Sequence, residues 1–282
     1  MKKLLLLIAF AVTLQGFSQQ LPDASPRSIV SQRVGLTDIE LNYSRPSVKS
    51  RDIFGGLVPF GKHWRLGANK NSTISFSTDA RFGGENVPAG TYSITAIVNE
   101  MNWTIILNSK NDMWGIDDGY NSRQDVARFN APVKTLNAPV ESLYMGIEDL
   151  TQETANLIIA WEKSSVKIPI ALETIRLAEE NLQNALNENP EDFKIKRTAA
   201  RFYMQNDLNM NEALSLITKV VKNNPESWYN NYLFAQVMAK IGDPKSAKDA
   251  AKKAMLLGRK DAKEKGEKFY YQDDIKSFMK TL

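Results

Sequence analysis

One histidine, no cysteine and a loose scatter of acids are what 282 residues offer to a catalytic mechanism. A serine–histidine–acid triad needs an imidazole to shuttle a proton, so His63 is the sole candidate base. No G-x-S-x-G turn accompanies it, and Ser72 and Ser75 are near it only along the chain. One imidazole is too few for a catalytic zinc site built on two or three histidines. With thiolates absent as well, neither a metal centre nor a cofactor is expected. Asn108, Asn111, Asp112, Asp117, Asp118 and Asn121 gather oxygen ligands of the kind calcium takes. Their spacing misses the EF-hand template, because Gly119 is misplaced and no closing glutamate follows. Such residues more often build turns by bonding their own backbone. Glycoside hydrolysis needs two carboxylates facing across a cleft. Spacing alone does not set Glu85, Asp112, Asp117, Glu141 or Glu162 in such a pair.

Aromatic side chains suggest a different chemistry, stacking on sugar rings while neighbouring Arg and Asn groups bond hydroxyls. Trp103 and Trp161 fall within apolar strand patterns and are expected in a core. Trp64 and Trp114 lie in glycine-containing loops beside His63, Arg65, Asn69 and Asp117. Those six residues form the candidate ligand-binding set. The competing expectation is an aromatic lid that closes the end of a sandwich, with Arg65 paired to a carboxylate.

The elements that must position these residues change character once along the chain. From Arg27 to about Ile170 the pattern is one of strands. Ile39, Leu41 and Tyr43 alternate on one face, as do Ile74 and Phe76, and then Tyr92, Ile94, Ala96 and Val98. Turn residues Asn99–Asn102 precede Trp103–Leu107, which predicts a hairpin. Further strands are predicted at 28–34, 126–129, 142–147, 155–161 and 166–168. Some nine short strands punctuated by Gly, Pro and Asn predict an antiparallel sandwich or barrel-like domain.

Past Pro169 the period becomes helical, with Leu172, Ile175, Ala178 or Leu182, Ala185 and Leu186 at three- and four-residue steps. Ala213, Ile217 and Val220 are matched 34 residues later by Ala247, Ala251 and Ala254, and Met204 by Met238. Asn189-Pro190 recurs as Asn224-Pro225, and Gly242-Asp243 supplies a tight turn. This is the spacing of tetratricopeptide repeats: one good copy at 227–258, a degenerate copy before it and a leading helix. Fewer than three copies need support, which a final helix at 273–279 or the β domain would give. Lys240 to Lys268 carries ten basic residues against five acidic ones, a pattern expected of a solvated helix face.

Met1-Lys2-Lys3, the apolar run Leu4–Leu14 and small residues Gly16 and Ser18 have the form of a cleaved export signal, cut between Ser18 and Gln19. The formal charge of +4 falls to +2 without Lys2 and Lys3, a balance that does not suggest nucleic acid. No later segment is long and apolar enough to span a membrane. The expected organisation is therefore a signal at 1–18, an all-β domain at 25–170 and helical repeats at 171–282.

The β half also resembles a known family. The residues that carry the likeness are Ser25-Pro26-Arg27, Ser31-Gln32-Arg33-Val34-Gly35, Tyr43-Ser44-Arg45-Pro46 and the run Ile53 to Gly61. It continues through Trp64-Arg65-Leu66-Gly67-Ala68-Asn69, Pro88-Ala89-Gly90-Thr91-Tyr92, Trp103 to Asn108 and Trp114-Gly115. Together they are similar to the secreted bacterial family called domain of unknown function 2911. The resemblance implies a small secreted β domain, sometimes followed by helical repeats, and no activity. His63 stands where that family's pattern leads one to expect an apolar residue, which argues against a family-wide catalytic role.

The functional expectation is a non-catalytic protein of the periplasm or the secreted fraction. Its β domain would bind a ligand or partner, and its repeats would present a groove to a protein or peptide. The alternatives are a glycan- or peptide-acting hydrolase using acids of the β domain, and a sugar-binding module without turnover.

Overall fold

A computed structural model describes residues 21–282. The expected signal and its cut site lie outside the described residues. Contacts divide the chain into two compact units. One comprises residues up to Val34 with Asp38–Ala171, the other Gly35–Thr37 with Leu172–Leu282.

The first unit is a large antiparallel sheet of ten strands: β1 (Arg27–Val34), β2 (Thr37–Ser44), β3 (His63–Trp64), β4 (Thr73–Phe76), β5 (Ala80–Phe82), β6 (Glu85–Val87), β7 (Gly90–Val98), β8 (Asn102–Asn108), β9 (Asp125–Glu148) and β10 (Thr154–Leu172). The order is β1-β2-β4-β7-β8-β9-β10-β5-β6, with β3 added to β7. Alternation explains the strands. Ile39, Leu41 and Tyr43 of β2 are buried while Asp38 and Glu40 are exposed, the period-two pattern of a half-buried sheet. The predicted hairpin joins β7 to β8, closed by Asn99 N–H to Asn102 O at 3.0 Å.

Sheet order differs from the short-strand expectation in one respect. The strands predicted at 126–129 and 142–147 are one, β9, and those at 155–161 and 166–168 are likewise one, β10. Pro132, Asn137 and Pro139 read as breakers, but β9 absorbs them. Val140 pairs with Glu162 and Thr135 with Ser164, so four residues of β9 face one of β10 across a bulge. This bend lets the first part of β9 pair with β8 and the rest with β10. The far part also meets β2. The Tyr43 hydroxyl donates to Met145 O at 3.0 Å and accepts from Met145 N–H at 2.9 Å. Arg45 Nε donates to Leu143 O at 2.8 Å. The sheet thus folds back on itself over a core that includes Trp103, Trp161, Ile105 and Leu107.

The second unit holds six helices: α1 (Thr174–Glu188), α2 (Phe193–Gln205), α3 (Met210–Asn223), α4 (Trp228–Lys240), α5 (Pro244–Lys265) and α6 (Gln272–Lys280). The starts of α2 to α5 are written in side chains that satisfy orphan amides. Asp192 accepts from Lys194 N–H and Ile195 N–H, Ser227 from Asn230 N–H and Asp243 from Ser246 N–H. Pro244 opens α5, and Gly266 ends it at φ +68°. Each helix packs on the next, and α2 also meets α4. The matched positions are buried in both copies: Ala213, Ile217 and Val220 on α3, Ala247, Ala251 and Ala254 on α5. Ile275 of α6 joins Ala251, Ala254 and Met255 in a buried cluster.

Candidate functional site

The first unit carries a groove of about 590 Å³. One wall is the segment leading into β4. Leu66 at φ +55° and Asn69 at φ +59° put two non-glycine residues in the left-handed region within four positions. Gly67, at φ +153°, lies so close to the end of β2 that an added Cβ would stand 3.0 Å from Ser44 O. Asn69 is held by donating to Ser44 Oγ and Ser25 O, both at 3.3 Å. The other wall is the loop after β8, tied across by Asn71 N–H to Met113 O at 2.9 Å. Asn111 Nδ2 anchors that loop to Thr91 O at 2.8 Å, and Asp118 Oδ2 accepts from Trp114 N–H at 2.9 Å. Arg27 lies along the groove, its Nε donating to Asn42 Oδ1 at 2.7 Å.

Two features make this groove more than a surface dimple. Trp114 lines it yet is 62% exposed, so a large indole face is offered to solvent. Asn71 lines it while only 6% exposed. Its Nδ2 donates to Ser72 O and Asn111 O, but its buried Oδ1 has no partner among the described residues. A buried carbonyl oxygen without a donor costs about 1–3 kcal/mol. Amides, a guanidinium and an aromatic face are the means by which proteins hold hydroxyl-rich ligands.

Of the six residues singled out from the sequence, the groove brings together Asn69 and Trp114. The other four lie elsewhere. Trp64 stacks on Trp161, with centroids 5.7 Å apart and planes at 18°, and meets Trp103 and Phe54 edge-on. It is half-buried in the aromatic core. Arg65 is half-buried, and its Nε is buried without a hydrogen-bond partner, so the expected carboxylate pairing is not formed among the described residues. Asp117 is exposed and does not line the groove.

His63 sits half-buried on β3, its Nε2 2.7 Å from Thr95 Oγ1 and its ring 4.4 Å from that of Tyr120 at right angles. The Tyr120 hydroxyl donates to Asp125 and accepts from Arg128 Nη2 at 3.0 Å. Burial, and then the positive charge of Arg128, push the His63 pKa below its ordinary 6.5, with Asp125 opposing. Asn108 Nδ2 donates to Asp125 Oδ1 and Asn121 O, and Asn108 Oδ1 accepts from Lys110 N–H. The oxygen-rich segment therefore spends several of its side chains on its own turns. No group of three or more His, Asp or Glu that could hold a metal occurs among the described residues.

Asn42, Asn71 and Arg27 were not singled out beforehand. The doublet Asn69 and Asn71 beside a strand start was the available sign, since polar amides there either cap turns or face a ligand.

Residues 25–170 match the family described as Protein of unknown function (DUF2911). The chain belongs to this family. The family segment contains the groove residues from Arg27 to Trp114, and Asp23 at the rim lies just before it. No curated protein matches the chain. Among solved structures, the crystal structure of MamA shares 20% identity at a TM-score of 0.30, covering 38% of this chain and 59% of that one. The solution structure of protein BPP2914 from Bordetella parapertussis shares 14% identity at a TM-score of 0.30, covering 36% of this chain and 84% of that one. The chain thus spans under two thirds of MamA, and neither likeness bears on the reading that follows.

Proposed function

We propose that this DUF2911 member is an exported binding protein without turnover, acting in the periplasm or outside the cell. Its β unit holds a hydroxyl-rich ligand, of the glycan class, in the groove beside Trp114. Its helical unit, read as tetratricopeptide-like, engages a protein partner. The observation that carries the ligand assignment is the exposed indole of Trp114 at a groove lined by Arg27 and the amides of Asn42, Asn69 and Asn111. A sugar ring would cover the indole while its hydroxyls donate to amide oxygens. Of the sequence alternatives, this geometry favours the sugar-binding module over the hydrolase. Asp117 is outside the groove, and Asp118 is committed to the Trp114 amide. Of the two acids that line the groove, Asp23 and Asp112, the latter is ion-paired with Lys110 at 3.8 Å.

A glycan array followed by tryptophan-fluorescence titration tests the assignment. We expect saturable retention of an oligosaccharide, weakened about ten-fold or more by Trp114→Ala with thermal unfolding unchanged, on the scale of one lost aromatic contact plus its buried area. Retention of no glycan, or equal retention by Trp114→Ala, would overturn it. Release of shortened sugars during incubation would replace it with the hydrolase.

A further inference from the structure

Two arginines stand one turn apart on α2 with no acid to neutralise them. Arg197 and Arg201 line a cavity of about 350 Å³ together with Thr198 and Tyr229. Like charges at this i,i+4 spacing weaken a helix, and neither guanidinium is ion-paired among the described residues. The fold nevertheless orients both. Arg197 lies over the Tyr229 ring, 5.6 Å from its centroid, and its Nη1 reaches the Oδ1 of buried Asn230 at 3.4 Å. Arg201 Nη1 donates to the Tyr229 hydroxyl at 3.2 Å. That hydroxyl has accepted a bond and still carries its own proton, which has no acceptor among the described residues. Thr198 is spoken for, its hydroxyl donating to Lys194 O at 2.9 Å.

The cavity therefore presents two planar cations and one O–H donor, held by contacts that do not use up their remaining donors. Guanidinium forks match a carboxylate in shape and charge. Next to Tyr229, Trp228 contacts Tyr229, Phe269 and Tyr271, and Tyr271 is 48% exposed. A cationic pocket next to aromatic surface suits an extended acidic segment better than a lone small anion, because side chains flanking the carboxylate have somewhere to pack. We infer that Arg197, Arg201 and Tyr229 form the site at which the helical unit takes a glutamate or aspartate carboxylate of an acidic peptide on its partner. This rests on the reading of that unit as a protein-binding element and names the chemistry of the partner.

Fluorescence anisotropy of the full described chain with a labelled hexaglutamate peptide, and with its glutamine counterpart, tests the site. We expect binding of the acidic peptide alone, weakening as salt rises. Arg201→Gln should weaken it about ten-fold, the scale of one charge-assisted contact. Arg197→Lys, which keeps the charge but not the fork, should weaken it less. Lys253→Gln, on exposed α5, removes the same charge elsewhere and should change it little. Acidic-peptide binding that Arg201→Gln leaves intact would overturn the site while sparing the protein-binding reading. Absence of binding by either peptide would overturn the site and count against that reading too. Binding of inorganic phosphate without the acidic peptide would replace the proposal with a phosphate site.

Discussion

His63 is the residue most easily mistaken for chemistry, and its surroundings assign it another part. Its Nε2 satisfies the hydroxyl of Thr95, a residue with no solvent exposure, and its ring fills the space against Tyr120. The neutral ring suits that place, since burial and Arg128 both disfavour the imidazolium. The sign of the linkage follows. With the folded pKa below 6.5, the unfolded chain binds the proton first, so stability is full above 6.5 and falls as pH drops through that value towards the folded pKa. We predict that the urea midpoint decreases on acidification from pH 7 through 6.5, and that His63→Gln loses this component of the slope. An unchanged slope in the variant would show that other groups titrate there. Two-residue β3 also explains why Trp64 misled. Its indole meets Trp103 and Trp161 through pairings between strands distant in sequence, and no local period announces that. Trp114, which sits in a loop outside any strand, was legible as an exposed aromatic for the opposite reason.

At the scale of elements, periodicity made most of the fold readable, and the exceptions are short or bent. Strands β2, β4, β7 and β8 alternate over at least four residues and lie where alternation puts them. Strands β5 and β6 have three residues each, too few for a period. The doubled reading of β9 came from prolines that a bulge accommodates. The helices were plainer, because caps and matched small residues mark them twice. A small residue near the end of α5 carries a prediction. Gly258 is buried within α5, where alanine would ordinarily be better by about 0.5–1 kcal/mol. Here an added Cβ would stand 2.2 Å from Cζ of Phe269, whose ring packs 5.0 Å from that of Trp228. Overpacking of this kind costs about 1–3 kcal/mol, so the clash outweighs propensity. We predict that Gly258→Ala lowers stability to chemical denaturation in the parent chain but raises it in a Phe269→Ala background. The same sign in both would mean that the ring swings aside freely and the glycine is not required for packing.

For the whole molecule, the two units draw on different physics and neither uses a covalent staple. Cysteine is absent, and no helix among the described residues is long and apolar enough to cross a membrane. Stability must then come from the cores, an aromatic-rich one in the sheet unit and alanine-lined packing in the helical unit. The proposed export would bear directly on the groove, because its rim begins close to the proposed cut. Removal of residues 1–18 leaves Gln19 as the first residue and keeps both Asp23 and Arg27, which line the groove. A cut after Ala24 would delete Asp23 and leave Ser25, whose carbonyl accepts from Asn69, as a new terminus with a mobile charge beside it. On the proposed reading, the position of processing would be part of the groove's construction. We predict that the protein recovered from the periplasmic or extracellular fraction has the intact mass of a chain starting at Gln19. We also predict that a version engineered to start at Ser25 binds the groove ligand more weakly than the natural product while unfolding at the same temperature. Recovery of the protein with Met1 retained in the cytoplasmic fraction would remove export from the proposed function and leave the groove chemistry to be judged alone.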